Sequence, residues 1–155
     1  SLNRKYDAGE ITTQEFIEAV QKVSGHDKTE IEETMDGQSP KNRPLLGYIA
    51  QLKPKYKTGI LSNVASNWIT EVFLTKSEQK LFDDILPSIE VGVTKPDRRI
   101  FKIACERLGV EPQEVILVDD IESYCLAAQE QGMKTVVYQS FGQCKTELEK
   151  LLAEN

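Results

Sequence analysis

The 155-residue sequence contains no long apolar run, no basic stripe, no paired cysteine motif and a single histidine. Each absence removes a class of function. A membrane-crossing helix needs about 20 consecutive, mostly apolar residues, and no stretch of the chain offers them. A net charge of −6 without clustered Lys or Arg argues against a nucleic-acid surface. Cys105, Cys125 and Cys144 are odd in number, widely spaced and free of any CxxC pair. A reduced, cytoplasmic setting is therefore expected rather than a disulfide framework. His26 stands among polar residues and far from any cysteine, which reads as a surface position. No internal repeat, low-complexity tract or signal-peptide pattern is present, and Ser rather than Met at position 1 reads as a fragment end.

What remains is ordinary globular composition, 39% hydrophobic and 28% charged, in a length that suits one domain with a small appendage. The chain is organised around Val115-Ile116-Leu117-Val118-Asp119-Asp120. Four apolar residues running into two carboxylates read as a strand buried on both faces of a parallel sheet. Its two acids then stand at the carboxyl end, where open α/β sheets hold ligands. Adjacent carboxylates repel by roughly 4 kcal/mol at 4 Å and an effective dielectric near 20, and a hard divalent cation is one way to relieve that. A solvated loop start is the plain alternative.

Residues 1–58 read as helical. In Ile11-Thr12-Thr13-Gln14-Glu15-Phe16, Thr12 and Glu15 are spaced for reciprocal capping, with Ile11 placed to staple onto Phe16. Phe16, Ile17, Val20 and Val23 form one stripe, and Gly25 is a natural stop. A weaker helix is expected over 28–35 and another over 41–53, with Leu45, Leu46, Ile49 and Leu52 inward. From residue 58 onward the pattern alternates. Strands are expected at 59–63, within 85–91, at 115–119 and at 134–138. Helices are expected over 66–76, 97–108, 121–131 and 142–153. Strands spaced by such helices mean parallel βαβ units with right-handed crossovers.

Three polar spots then fall at strand ends or just beyond them: Ser62-Asn63, Lys95 in Val93-Thr94-Lys95-Pro96-Asp97, and Asp119-Asp120. In a parallel sheet all carboxyl ends face one way, so the three can share a pocket. Hydroxyl or amide donors, a fixed cation and an acid pair suit a phosphoryl group, whose transfer is catalysed mainly by positioning and charge neutralisation. Taken singly, Ser62 is equally a cap of the next turn and Lys95 an ordinary exposed loop lysine.

Those motifs, in that order, resemble the haloacid dehalogenase superfamily of phosphohydrolases over about residues 9–152. Ile60-Leu61-Ser62-Asn63 is similar to its second motif, and Val91-Gly92-Val93-Thr94-Lys95-Pro96-Asp97 with Ile100-Phe101 to its third. Val118-Asp119-Asp120 with Ala127-Ala128 and Gly132-Met133 is similar to its fourth. The resemblance implies a Rossmann-like parallel sheet flanked by helices, with a small α-helical cap. Residues 1–40 would be part of that cap and 41–155 the core, with 41–57 the helix connecting back to it. It further implies Ser62 and Lys95 as catalytic groups, with Ser62, Asn63 and Lys95 contacting the substrate phosphoryl group. Asp120 would be a magnesium ligand, with Asp119 beside it or acting through water. The implied activity is magnesium-dependent hydrolysis of a small phosphorylated metabolite through an aspartyl-phosphate, with neither nucleic acid nor membrane as partner.

One departure stands against this. The family's first motif, an Asp-x-Asp ending the first apolar strand, occurs nowhere in the sequence. By resemblance that strand lies between those ending at Ser62 and Asp119, and the chain is expected to begin inside the cap, after it. The gap would be closed by the sheet, filled by another strand, or belong to a segment outside these residues. Without the nucleophile the chain is expected to be inactive alone, with magnesium weak or absent. A non-catalytic degenerate binding module and a metal-free dehalogenase are the alternatives. A receiver domain places its acids on the first strand, which this order does not match.

Overall fold

A computed structural model describes residues 2–24, 28, 41–67 and 69–154. The expected helix over 28–35 thus lies outside the described residues apart from Lys28, as do Gly25, His26 and Trp68. Two helices open the chain, α1 at Leu2–Asp7 and α2 at Thr13–Ser24. The cap of α2 forms as spaced: Thr12 N–H donates to Glu15 Oε2 at 2.7 Å, and Glu15 N–H to Thr12 Oγ1 at 3.2 Å. Phe16 stacks on Tyr6 of α1 with centroids 4.4 Å apart, and Ile17 is buried.

The α1 helix is fastened to the rest of the protein at its end. The fully buried Ser88 hydroxyl donates to the Asp7 carbonyl. Gly9, at φ +71°, takes a turn that favours glycine, and an added Cβ there would also meet Ile89 Cδ1 at 2.4 Å, so that side chain would have to shift. Burial raises the Asp7 carboxyl from 3.8 to about 6. The folded state therefore disfavours the ionised form. Stability from this group is full below pH 3.8 and falls as pH rises through about 6. Comparing unfolding of wild type with Asp7→Asn should show a difference that changes across that window and is level above it. A constant difference would contradict the assignment.

The helix α3, Arg43–Leu52, begins with Asn42 accepting from Leu45 N–H at 3.2 Å and leads into β1, Gly59–Ser62. The helix expected over 66–76 is instead a π-helical turn at Ile69–Phe73 followed by a separate short helix, α4, Lys76–Gln79. The cause is local. Thr75 and Glu78 form a capping box that starts a new helix, and Gln79 Nε2 donates to the Thr70 and Leu74 carbonyls. The apolar spacing read as continuous did not reveal that break.

Next come β2, Asp84–Pro87, a 3-10 turn at Ser88–Glu90, and α5, Arg98–Leu108. Asp97 caps α5 and Gly109, at φ +65°, ends it. The remainder is β3, Ile116–Asp119; α6, Glu122–Glu130; β4, Lys134–Val137; and α7, Phe141–Ala153. Among the described residues, no helix is long and apolar enough to cross a membrane.

The strands form two parallel pairs, β1 with β2 and β3 with β4. Neither of the first two ways of closing the gap is seen: β1 is not paired with β3, and among the described residues no strand lies between them. The pairs still share one core. Leu86 is fully buried in a cluster with Ile100, Phe101, Cys105, Ala128 and Met133, and Leu61 and Leu117 pack against it. On the other face, Ile116 and Val118 pack against Tyr48, Val136, Cys144 and Leu148. Alternate β3 residues thus face opposite helix layers, as strand geometry requires. Every β3 residue is only half-buried, whereas the sequence reads as a strand buried on both faces. The uncovered edge toward β1 accounts for the difference.

Candidate active site

The site sits at the carboxyl ends of β1 and β3. Lys95 occupies the loop between the Ser88–Glu90 turn and α5, and its bond to Pro96 is cis. That loop is held by Asn63, one residue past β1. Asn63 Oδ1 accepts Lys95 N–H at 2.8 Å and Asn63 Nδ2 donates to the Lys95 carbonyl at 3.0 Å. A second donation from Nδ2 reaches the Tyr124 hydroxyl at 3.1 Å. The amide fixes a backbone that would otherwise be a flexible loop.

Held this way, Lys95 is no ordinary exposed loop lysine. Its side chain and that of Asp119 are each 7% exposed, and its ammonium is ion-paired and hydrogen-bonded to Asp119 Oδ2. A charge so buried is tolerated only when paired. Asp119 Oδ1 accepts Ile121 N–H at 2.9 Å, so both carboxylate oxygens are engaged. The Tyr124 ring covers another side of the ammonium, 5.1 Å from its centroid. Cys125 lies below, its Sγ 3.6 Å from the Asp119 carbonyl. Burial, with the Asp119 charge adding, raises that thiol's pKa and keeps it protonated.

Lys95 is thus in direct contact with both Asn63 and Asp119. Ser62 is half-buried, its carbonyl accepting Val64 N–H at 3.1 Å, and Asp120 is exposed; each adjoins a contact residue in the chain at the same strand ends. Tyr124 was not singled out from the sequence. Its signal was an aromatic residue in the first turn of the helix that follows the acid pair.

In the acid pair, Asp119 already has a cation against it, the Lys95 ammonium. Asp120 is left as a single available carboxylate, and among the described residues no three His, Cys, Asp or Glu side chains come together. Magnesium demands near-octahedral oxygen coordination. These residues alone do not fit it.

Comparison with known proteins agrees with the fold. The chain is 32% identical over 118 residues to the bifunctional epoxide hydrolase 2 of Sus scrofa, covering 71% of this chain and 21% of that protein. It is 31% identical over 94 residues to the glyceraldehyde 3-phosphate phosphatase of Methanothermobacter thermautotrophicus, covering 59% of this chain and 42% of that one. This chain therefore spans about a fifth to two fifths of the length of these curated relatives. A crystal structure of a haloacid dehalogenase family enzyme from Bacteroides thetaiotaomicron, in complex with magnesium and inorganic phosphate, superposes with a TM-score of 0.70. It is 25% identical and covers 87% of this chain and 73% of that one. The family model for haloacid dehalogenase-like hydrolases matches residues 45–138, from α3 through the end of β4, and the chain belongs to that family.

Proposed function

We propose that this chain supplies the phosphate-binding face of a phosphatase acting on a small phosphorylated metabolite. The observation that carries the reading is the Lys95 ammonium, held buried against Asp119 at the strand ends rather than free in a loop. In phosphoryl transfer, charge spreads over the equatorial oxygens, and a preorganised cation there needs no rearrangement as the reaction proceeds. Lys95 supplies that cation. The Ser62 hydroxyl, at the end of β1, donates to a second phosphoryl oxygen. Asp119 orients Lys95, while Asn63 fixes the loop that carries it. The relatives named as glyceraldehyde 3-phosphate phosphatases and the phosphate-bound structure support this substrate class.

The attacking carboxylate of an aspartyl-phosphate mechanism is not among these residues, since the sequence contains no Asp-x-Asp. The chain alone is therefore expected to bind phosphate without turnover. The same observation favours a second reading, a non-catalytic phosphate-binding module of residues 41–155 with 1–40 as part of a helical cap. Inorganic phosphate titrated into the protein and followed by phosphorus NMR tests both. Saturable binding lost in a Lys95→Gln variant that is still folded, or in the double variant Lys95→Met with Asp119→Asn, supports phosphate recognition; no binding by wild type ends it. Turnover after an Asp-x-Asp strand is supplied separates enzyme from module.

Magnesium dependence, expected of the complete enzyme, requires more oxygen ligands than Asp120 provides here. Calorimetric titration should find no sub-micromolar magnesium site in this chain, and finding one would overturn the ligand assignment. In a protein with the complete motif set, Asp120→Asn should greatly reduce turnover.

A further inference from the structure

We infer that Tyr124 is a positioning residue that aims the Lys95 ammonium and locks the loop after β1 to the loop before α5. The inference rests on the reading of Lys95 as a phosphate contact. An ammonium has three donors. Asp119 takes one, and the Tyr124 ring, 5.1 Å from the nitrogen, covers a further side, so the direction left for a ligand is narrowed. A positive charge over an aromatic face is attracted by the ring quadrupole, more strongly where water is excluded. At 7% exposure for the lysine, water is largely excluded.

The hydroxyl has a separate task. Asn63 has two amide protons and one carbonyl oxygen. The oxygen accepts Lys95 N–H, one proton goes to the Lys95 carbonyl, and the other goes to the Tyr124 hydroxyl. Both amide protons and one lone pair of the oxygen are used within the protein, which makes Asn63 a holder of the Lys95 loop. Tyr124 completes its set of partners. One side chain on the first turn of α6 therefore contacts both the residue after β1 and the lysine, while Asp119, at the end of β3, holds the lysine's other side. Phenylalanine keeps the ring and removes only the hydroxyl; leucine removes both.

The test compares wild type, Tyr124→Phe and Tyr124→Leu for acylation of Lys95 by an amine-reactive ester. Site-resolved mass spectrometry reads each lysine at one pH, with Lys53 and Lys134 as internal references for an intact fold. Loss of the ring should raise Lys95 labelling about 2- to 30-fold in Tyr124→Leu, with the references unchanged. Tyr124→Phe should label Lys95 within about twofold of wild type yet bind inorganic phosphate more weakly, because Asn63 has lost an acceptor. Should the leucine variant fail to fold, Tyr124→Trp replaces it and should retain slow labelling. Equal Lys95 labelling in wild type and Tyr124→Leu would overturn the inference, as would fast labelling in folded Tyr124→Trp. Wild type that binds no phosphate would instead end the phosphatase reading, while the labelling comparison still judges the contact between ring and ammonium.

Discussion

Replacing Lys95 by methionine is expected to cost the fold about 3–5 kcal/mol, the range for removing one partner of a buried ion pair. Methionine keeps much of the stem's volume and removes the charge. Asp119, at 7% side-chain exposure, then retains, among the described residues, only Ile121 N–H as a partner for its carboxylate. Domains of this kind have about 5–15 kcal/mol in total, so the variant should unfold at far lower urea. Asp119→Asn alone leaves the ammonium without its anion and should also destabilise. The double variant Lys95→Met with Asp119→Asn should recover most of the loss, because no uncompensated charge remains buried. Urea midpoints for the four proteins give the coupling directly. If Lys95→Met unfolds at the wild-type midpoint, water reaches the pair and the buried cation cannot be the basis of the site. The recovery matters as much as the loss. A buried pair is weak evidence for stability, since neutral replacements often do as well. A double variant as stable as wild type but unable to bind phosphate would mean that the pair is kept for its charge at the rim.

The parts of this arrangement that were legible in the sequence are those fixed by short-range chemistry. Thr12 and Glu15 form their cap, Asp97 and Gly109 bound α5, and the apolar run before Asp119 is a strand. Each rests on neighbours within four residues. The break at Thr75 was equally local, since Thr75-Lys76-Ser77-Glu78 carries the capping-box spacing, but an apolar stripe across 66–76 masked it. The short α1 carries no apolar stripe of its own; it is held from outside by Ser88 and by the fit of Gly9 against Ile89. Lys95 was harder. Whether a loop lysine is exposed or buried depends on Asn63 and Asp119, 32 and 24 residues away, and nothing in its own segment says so. Tyr124 was missed for the same reason: both its polar partner and the cation over its ring lie in other loops.

An extended apolar peptide of about five residues, matched to four-residue strands and followed by Asp-x-Asp, is expected to seat between β1 and β3 and raise the unfolding temperature by about 10 °C when in excess. The argument starts from backbone groups. Among the described residues β1 pairs only with β2 and β3 only with β4, so the other edge of each carries N–H and C=O groups that no described strand matches. Buried backbone groups without partners are rare in native folds, and an open edge is a template for another strand. Yet the two pairs share one core: Leu61, Leu86 and Leu117 meet on the cluster that α5 and α6 close. At the carboxyl end they are already bridged, by Lys95 to Asp119 and by Asn63 to Tyr124. A seated strand would pair on both sides, and its apolar side chains would cover the half-buried faces of β1 and β3. Its terminal acids would emerge beside Lys95, where an attacking carboxylate is needed. Hydrogen exchange distinguishes this from nonspecific sticking. Amides of β1 and β3 that do not bond β2 or β4 should exchange fast in the protein alone and become protected with peptide. Amides within the existing ladders should change little. A peptide with a single central proline loses a ladder donor and should neither protect nor stabilise. Equal stabilisation by the proline peptide, or unchanged exchange with the apolar one, would show that the edges of β1 and β3 are not a slot for a strand.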